Sequence, residues 1–372
     1  AVHLRSGGLK EKASTYFEIA GDEAWRLANY GRALASYQAV AELRREGPAA
    51  AVAQIKLARC LLAAYEPEAC RQALARAGQW AEQSALDWLL YTVLFNGVSI
   101  GLGLGDDALA EGYLQRLRAY LPAYSHQSDV QELAALLLRR RGDLRGAAGK
   151  LAACVERCRK QNNPQGRVSA LVSLGDVHTM SGAGARARAC FEEALDLARG
   201  LVAPIFLGRA QSHYGAALAR MGQQQAGLEL LTESLERLSD GQYPDEWIEA
   251  LLQIAICKAA RRDYPEARRS AADTQVFARQ LGAQTFEARA TFLLQEIALA
   301  DGEDPSVVLA EMARQIQILH RQDADACQLI ELRVRLAEAH ERAGRDDAAT
   351  LLREVQQAAE KIGARLWSSP AQ

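Results

Sequence analysis

The chain has 372 residues, 49% hydrophobic, 24% charged and 6% aromatic, with 9 prolines. This composition excludes a disordered tail, a collagen-like chain and a membrane-dominated chain, and it supplies apolar mass for a real core. With 44 lysines and arginines against 46 aspartates and glutamates, the formal charge is −2, so no global basic field exists to hold DNA or RNA.

The opening residues, AVHLRSGG, contain no basic n-region and no apolar stretch of signal-peptide length, and they lack an initiator Met. We expect no secretory leader and read the chain as a piece of a larger protein. Runs such as Ala49-Ala50-Ala51 and Ala134-Ala135 point to helices that approach closely, hence an all-α fold. A recurrent ladder follows. Gly175, Gly182, Ala187, Phe191 and Ala194 stand at offsets of 7, 12, 16 and 19 from the first of them. In chain order, the same ruler is started by Gly21, Ala58, Val98, Ala135, Gly175, Gly215 and Ala255, separated by 37, 40, 37, 40, 40 and 40 residues. Gly stands at offset 7 in four of these units, and Ala28, Tyr65 and Arg262 stand there in the first, second and seventh.

Each unit reads as two antiparallel helices, with a small residue in the first, a turn, and a small–large–small stripe on the second. Asn162-Asn163-Pro164, Asp240-Gly241 with Pro244-Asp245, and Gly302-Glu303-Asp304-Pro305 are expected to separate units. Repeats are clear over residues 13–275 and degenerate over 283–363, where Ala337 and Gly344 fit but Ala348, Leu352 and Val355 slip by one. A helix pair buries its apolar face only against its neighbours, so residues 1–372 are expected to form a single α-solenoid.

Several motifs invite chemistry. Gly97-Val98-Ser99-Ile100-Gly101 matches the nucleophile elbow G-x-S-x-G, but DWLLYTVLFN before it continues a helical pattern, so the strand–turn–helix setting is absent. Gly101-Leu102-Gly103-Leu104-Gly105 lacks the Lys and spacing of a phosphate loop and reads as an inter-helix turn. The uncharged stretch from Trp88 to Gly105 approaches a membrane span in length, yet Thr92, Asn96, Ser99 and its glycines lower its hydropathy. We read it as a buried helix with no membrane role. Cys154 and Cys158 share a helix face but lack further ligands, so no metal is expected. The 7 cysteines show no repeated spacing, which fits reduced thiols in a cytoplasmic setting. The six histidines, at 3, 126, 178, 213, 320 and 340, are expected to be packing residues. Arg139-Arg140-Arg141 and Arg44-Arg45 fan around their helices and read as solvated faces.

LANYGRALASYQAVAEL (27–43) and LGDVHTMSGAGARARACFEEAL (174–195) resemble tetratricopeptide repeats. The resemblance covers nearly the whole chain. The spacing departs from the common 34-residue unit and is similar to the long repeats of bacterial signalling ATPases, maltose-activator-type regulators and polarity adaptors. YFEIAGDEAWRLANYGRAL (16–34) and AARRDYPEARRSAADTQVFARQLG (259–282) look most like the arrays of such ATPase regulators. The resemblance implies a right-handed superhelix of about nine helix–turn–helix repeats whose first helices line a concave groove. It places in that groove Thr92, Phe95 and Ser99; Asp129, Glu132 and Leu136; Ser169, Val172 and Asp176; Arg209, Ser212 and Ala216; and Glu249, Leu252 and Ile256. Asn96 and Arg139 lie beside the same face, the amide suited to clamping an extended backbone. The Lys-and-Asn cluster that grips chaperone tails is missing.

The function this implies is a non-catalytic protein-interaction module. It binds a peptide, a partner protein or its own missing domains, without cofactor or metal, as the scaffold or sensor part of a larger regulator. The alternative is a small-ligand-sensing region of a STAND-type ATPase or a transcriptional activator. An esterase built on Ser99 stands as a third reading, from a different class.

Overall fold

The computed structural model describes residues 9–26, 30–64, 66–124, 127–238, 244–321 and 324–364. His3, His126 and the Asp240-Gly241 turn lie outside the described residues. Among these residues the chain forms eighteen helices and no strand. They fall into two compact units, residues 1–130 and 131–372.

The first unit holds α1 (Lys10–Arg26), α2 (Tyr30–Leu43), α3 (Gly47–Ala63), α4 (Pro67–Ser84), α5 (Asp87–Gly103) and α6 (Asp107–Tyr120). Helix α7 (Ser128–Arg140) begins at its edge. The second unit continues with α8 (Leu144–Lys160), α9 (Pro164–Met180), α10 (Gly184–Arg199), α11 (Pro204–Arg220) and α12 (Gln224–Arg237). It ends with α13 (Pro244–Ala260), α14 (Tyr264–Leu281), α15 (Gln284–Ala300), α16 (Pro305–Arg321), α17 (Ala326–Arg342) and α18 (Ala348–Ile362). Odd-numbered helices are the first members of their hairpins and even-numbered helices the second.

The ladder residues are the contact points. A Cβ on Gly175 would lie 2.7 Å from the Phe191 ring, and one on Gly227 would lie 2.6 Å from the Gly215 carbonyl oxygen. In the first unit Gly97 presses on Tyr113 and Gly101 on the backbone of Ala110, at 2.4 and 2.6 Å by the same measure. Only Gly105 of that glycine-rich stretch is in a turn; Gly101 and Gly103 lie inside α5. Phe191, Leu231, Leu114 and Leu74, each at the large position of its stripe, are almost wholly buried.

Helix starts follow from short polar side chains that accept otherwise unpaired N–H groups. Asp106 accepts from Leu109, Asp143 from Gly146, Asn163 from Gly166 and Asp325 from Cys327. One expected boundary is corrected. Gly302-Glu303-Asp304-Pro305 joins α15 to α16 inside a hairpin, and the one extra residue before Pro305 shifts α16 off the ladder.

The segment around Ser99 is continuous helix, so the strand–turn–helix that an acyl-transfer serine needs is not there. Among the described residues no helix is long and apolar enough to cross a membrane. Among the same residues no group of three or more His, Cys, Asp or Glu is placed to hold a metal ion. All seven cysteines are unbridged.

Candidate functional site

In the second unit the first helices are tied to one another through side chains one repeat apart. Ser169 on α9 donates to Glu132 on α7 at 2.6 Å. Asp176 on α9 lies 2.7 Å from Nδ1 of His213 on α11, and Arg139 on α7 stands 3.8 Å from the same carboxylate. Arg209 on α11 approaches Glu246 on α13 at 4.0 Å. Arg289 on α15 holds Glu249 on α13 with two bonds, of 2.6 and 2.8 Å, and Gln253 donates a third at 2.8 Å. Arg335 on α17 holds Glu296 on α15 in the same forked manner. Partners 37 to 41 residues apart meet because one repeat carries the chain to the equivalent level of the next first helix.

Two further ion pairs skip the neighbouring repeat. Arg220 on α11 bonds Glu331 on α17 at 3.1 Å across 111 residues of sequence. Arg139 Nε lies 3.6 Å from Asp325 Oδ2, and neither buried atom has a hydrogen-bond partner. Packing reinforces this return of the chain. Cys327 belongs to the core cluster of α7–α11, with Ile362 and Ala364 against it. A Cβ on Gly142, at the α7–α8 turn, would lie 2.4 Å from Cγ2 of Ile362. The last hairpin of this unit therefore closes back over its first ones.

Burial pushes the carboxyls on this face up, yet their cationic neighbours overcome it. Glu249 is held at about 2 by the charge and bonds of Arg289 with help from Gln253 and Arg220. Asp176 is likewise lowered by His213, Arg139 and Arg220, and Glu331 by Arg220, Arg335 and Arg289. The Arg220 guanidinium is raised, chiefly by Glu331. All these groups stay charged at neutral pH. Removing one partner of such a buried pair costs about 3–5 kcal/mol, whereas replacing the whole pair by apolar groups is often neutral. The pairs accordingly fix where each helix sits more than they add to stability.

The arrangement leaves solvent-reachable cavities. One of about 240 Å³ is ringed by Arg139, Asp176, His213, Arg220, Glu249, Arg289 and Glu331, with Met180, Ile330 and Val334 as apolar walls. Beside it, Arg209, Ser212, His213, Asp245, Glu246 and Glu249 surround about 200 Å³. A third, of about 410 Å³, has a floor of Ala216, Ala219, Ile256, Ala260, Leu293 and Ile297. Arg220, Glu296, Glu331, Arg335, Tyr264, Arg262 and Arg342 are among the other residues that line it. Arg262 is held at φ 63°, in the left-handed region where Gly105, Gly142, Gly182, Gly222, Gly302 and Gly344 stand in the corresponding turns. A side chain there costs about 1 kcal/mol or more through crowding of Cβ against backbone.

Of the residues predicted from sequence, Arg139, Asp176, Ser212 and Glu249 meet at the first of these cavities, and Arg209 joins Ser212 and Glu249 at the second. Glu132 and Ser169 are bonded to one another. Thr92, Asn96, Ser99 and Asp129 belong to the first unit. There Thr92 donates to the Trp88 carbonyl and Asn96 to the Thr92 carbonyl, both at 2.7 Å, so their donors serve their own helix. Ser99 is exposed, and Asp129 accepts from the Tyr91 hydroxyl at 2.8 Å.

The expectation that the histidines are packing residues is corrected for His320, which is exposed, and for His213, which faces Asp176 with its side chain 32% exposed. Sequence reasoning missed Arg220, Arg289, Glu296, Glu331 and Arg335. Arg289 lies 40 residues beyond Glu249, so extending the ladder one repeat further would have found it. Nothing in the sequence announces Glu331 beside Arg220.

No family model matches the sequence, and no curated protein matches it. Among solved structures, the chain is similar to a Rap protein complexed with Competence and Sporulation Factor, with a TM-score of 0.70 and 12% identity, covering 95% of this chain and 99% of that one. It is also similar to NprR in complex with its cognate peptide NprX, with a TM-score of 0.63 and 14% identity over 94% and 99% of the two chains. A third is the Rap conjugation gene regulator of the plasmid pLS20 in complex with the Phr* peptide, at 0.66 and 10% over 94% and 96%. At such identities the likeness establishes the fold, a tetratricopeptide-like stack of helical hairpins.

Proposed function

We propose that this chain is a non-catalytic regulatory module that binds a short peptide segment on the first-helix face of its second unit. The carrying observation is the ring of fixed charges of both signs, Arg139, Arg220 and Arg289 against Asp176, Glu249 and Glu331, around a cavity with apolar walls. Such a lining suits an extended segment that has its own backbone dipoles, charges and apolar side chains. The acids are held ionised and the arginines charged, so the face holds a ligand rather than shuttling protons at neutral pH. Support comes also from the likeness to two regulators whose structures contain peptides, NprR and the pLS20 Rap protein.

The seven unbridged thiols support a cytoplasmic setting, and the module would act as the sensor or scaffold part of a larger regulator. The 410 Å³ cavity favours a second reading, a sensor of a small organic ligand, because it falls within the usual range for such sites. The test is a binding screen of the purified chain against a heptapeptide library by fluorescence polarisation, repeated with Glu249→Gln and Asp176→Asn. We expect a subset of peptides to bind and the variants to weaken them about tenfold. Failure of every peptide to bind, or binding indifferent to both variants, would overturn the reading.

A further inference from the structure

The 410 Å³ cavity is not uniformly charged. Inside it, Arg220 is matched by Glu331 and Arg335 by Glu296, so the interior charges cancel. At its edge stand two more arginines, Arg262 and Arg342, both exposed. Among the described residues neither meets a carboxylate, and Arg342 makes only a long bond of 3.4 Å to the Glu338 carbonyl. The cavity is thus apolar at its floor and carries two uncompensated positive charges.

Arg262 stands at a turn position that six other hairpins of the chain give to glycine, with its backbone in the left-handed region. Glycine would relieve that conformation. An arginine is also favoured at a helix C-terminus by the partial negative charge of the last carbonyls. That accounts for Arg342, at the end of α17, but α13 already has Lys258 in its last turn. Arg262 lies two residues past the end of that helix, at Ala260.

We propose that this cavity is a carboxylate subsite: an apolar portion of the ligand fills the floor and its carboxylate binds Arg262 and Arg342 at the edge. The source of the carboxylate, a peptide C-terminus or an acidic side chain, rests on the peptide reading above; the subsite itself does not. A guanidinium offers forked donors to a carboxylate and keeps its charge at any working pH. Arg262 is therefore the specificity-determining residue, retained against the preference of its own backbone.

The test uses the purified chain, Arg262→Gly and Arg342→Gln, titrated calorimetrically with four probes: acetyl-Ala-Leu-Leu-Ala as the free acid, the same peptide as its amide, acetyl-Ala-Leu-Asp-Ala amide, and hexanoate. We expect the free acid or the aspartyl peptide to bind about tenfold more tightly than the plain amide, the preferred one identifying the source. Arg262→Gly is expected to remove that preference while raising the melting temperature by about 1–2 °C. A purely structural role predicts the opposite, a lower melting temperature with the preference intact, and would overturn the subsite. Peptides that bind with no preference for a carboxylate overturn the subsite and leave the peptide reading standing. Hexanoate binding that needs Arg262, with no peptide bound, keeps the subsite and assigns it to a small carboxylate ligand instead of a peptide. If no carboxylate probe binds, the subsite is wrong.

Discussion

Helices α5 and α13 hold the same place in their hairpins, marked by Val98 and Ala255 of the ladder, yet they reach their neighbours with different groups. On α5, Thr92 and Asn96 donate to carbonyls of their own helix, and the Tyr91 hydroxyl donates to Asp129 at the start of α7. On α13, Glu249 accepts two bonds from the next first helix, and Glu246 lies at ion-pair distance from the preceding one. The hairpin interior is close-packed in both, glycines against Tyr113 and Ala110 in the first and Ala255 with Ala267 and Ala271 in the second. What differs is that α5 offers one hydroxyl to the next first helix, whereas α13 pairs charged side chains with the first helices on both sides. A helix of the second kind presents a surface whose charges are fixed in place, and only that kind provides a preorganised binding face.

Breaking the cross-helix pairs should therefore cost the most. Arg335 and Glu296 are the best buried of them, with side chains 14% and 11% exposed. Arg335→Ala strands the Glu296 carboxylate and is expected to lower stability by about 3 kcal/mol, read by urea denaturation. Double replacement with Arg335→Met and Glu296→Leu should recover most of that loss, and a failure to recover would mean the pair contributes stability and not only position.

The hairpin contacts are the part the two units share. Gly101→Ala in α5 and Gly227→Ala in α12 each set a new Cβ within 2.6 Å of a backbone atom of the partner helix. Each should cost about 2 kcal/mol in the same assay, and a large difference between them would break the equivalence.

Acid sharpens the contrast. Glu249 has its folded value near 2 against 4.5 when unperturbed, and Asp176 and Glu331 are also lowered. A carboxyl with a lowered folded value stabilises fully above its unfolded value and loses that contribution as pH falls through the folded one. Between about pH 4.5 and pH 2, amide exchange protection in α13 and α17, corrected for intrinsic rates, should fall while α5 keeps its own. The smallest effect is expected on α5 itself: Thr92→Val should stay within about 0.5 kcal/mol of the parent by thermal melting.

The hairpins were legible because close helix contact demands small residues at fixed places. Gly175 against Phe191 and Gly215 against Gly227 are visible as spacing before any coordinate is known. Arg262 was legible too, as the residue standing where the ladder has glycine. The second half of the charged face was not. Extending the ladder leads from Glu249 to Arg289, but the C-terminal repeats slip in frame, and the rule loses its footing at α15 and α16. The bond from Arg220 to Glu331 depends on how far successive hairpins rotate, a property of the whole stack that no single repeat encodes. The histidines show the same limit: whether His213 packs or faces the cavity is decided by its neighbour Asp176, one repeat away.

The return of α17 to α11 and α7 changes how the second unit acquires its structure. An open array of hairpins nucleates anywhere, grows by nearest neighbours and frays from its ends. Here the terminal hairpin makes contacts across 111 residues, so a long loop must be closed before those contacts repay it, which slows folding relative to a local array. During synthesis the earlier hairpins must wait, their charged faces unmatched, until the last residues emerge. Once closed, the end hairpin has more than one neighbour to leave, and the unit should open all at once instead of peeling.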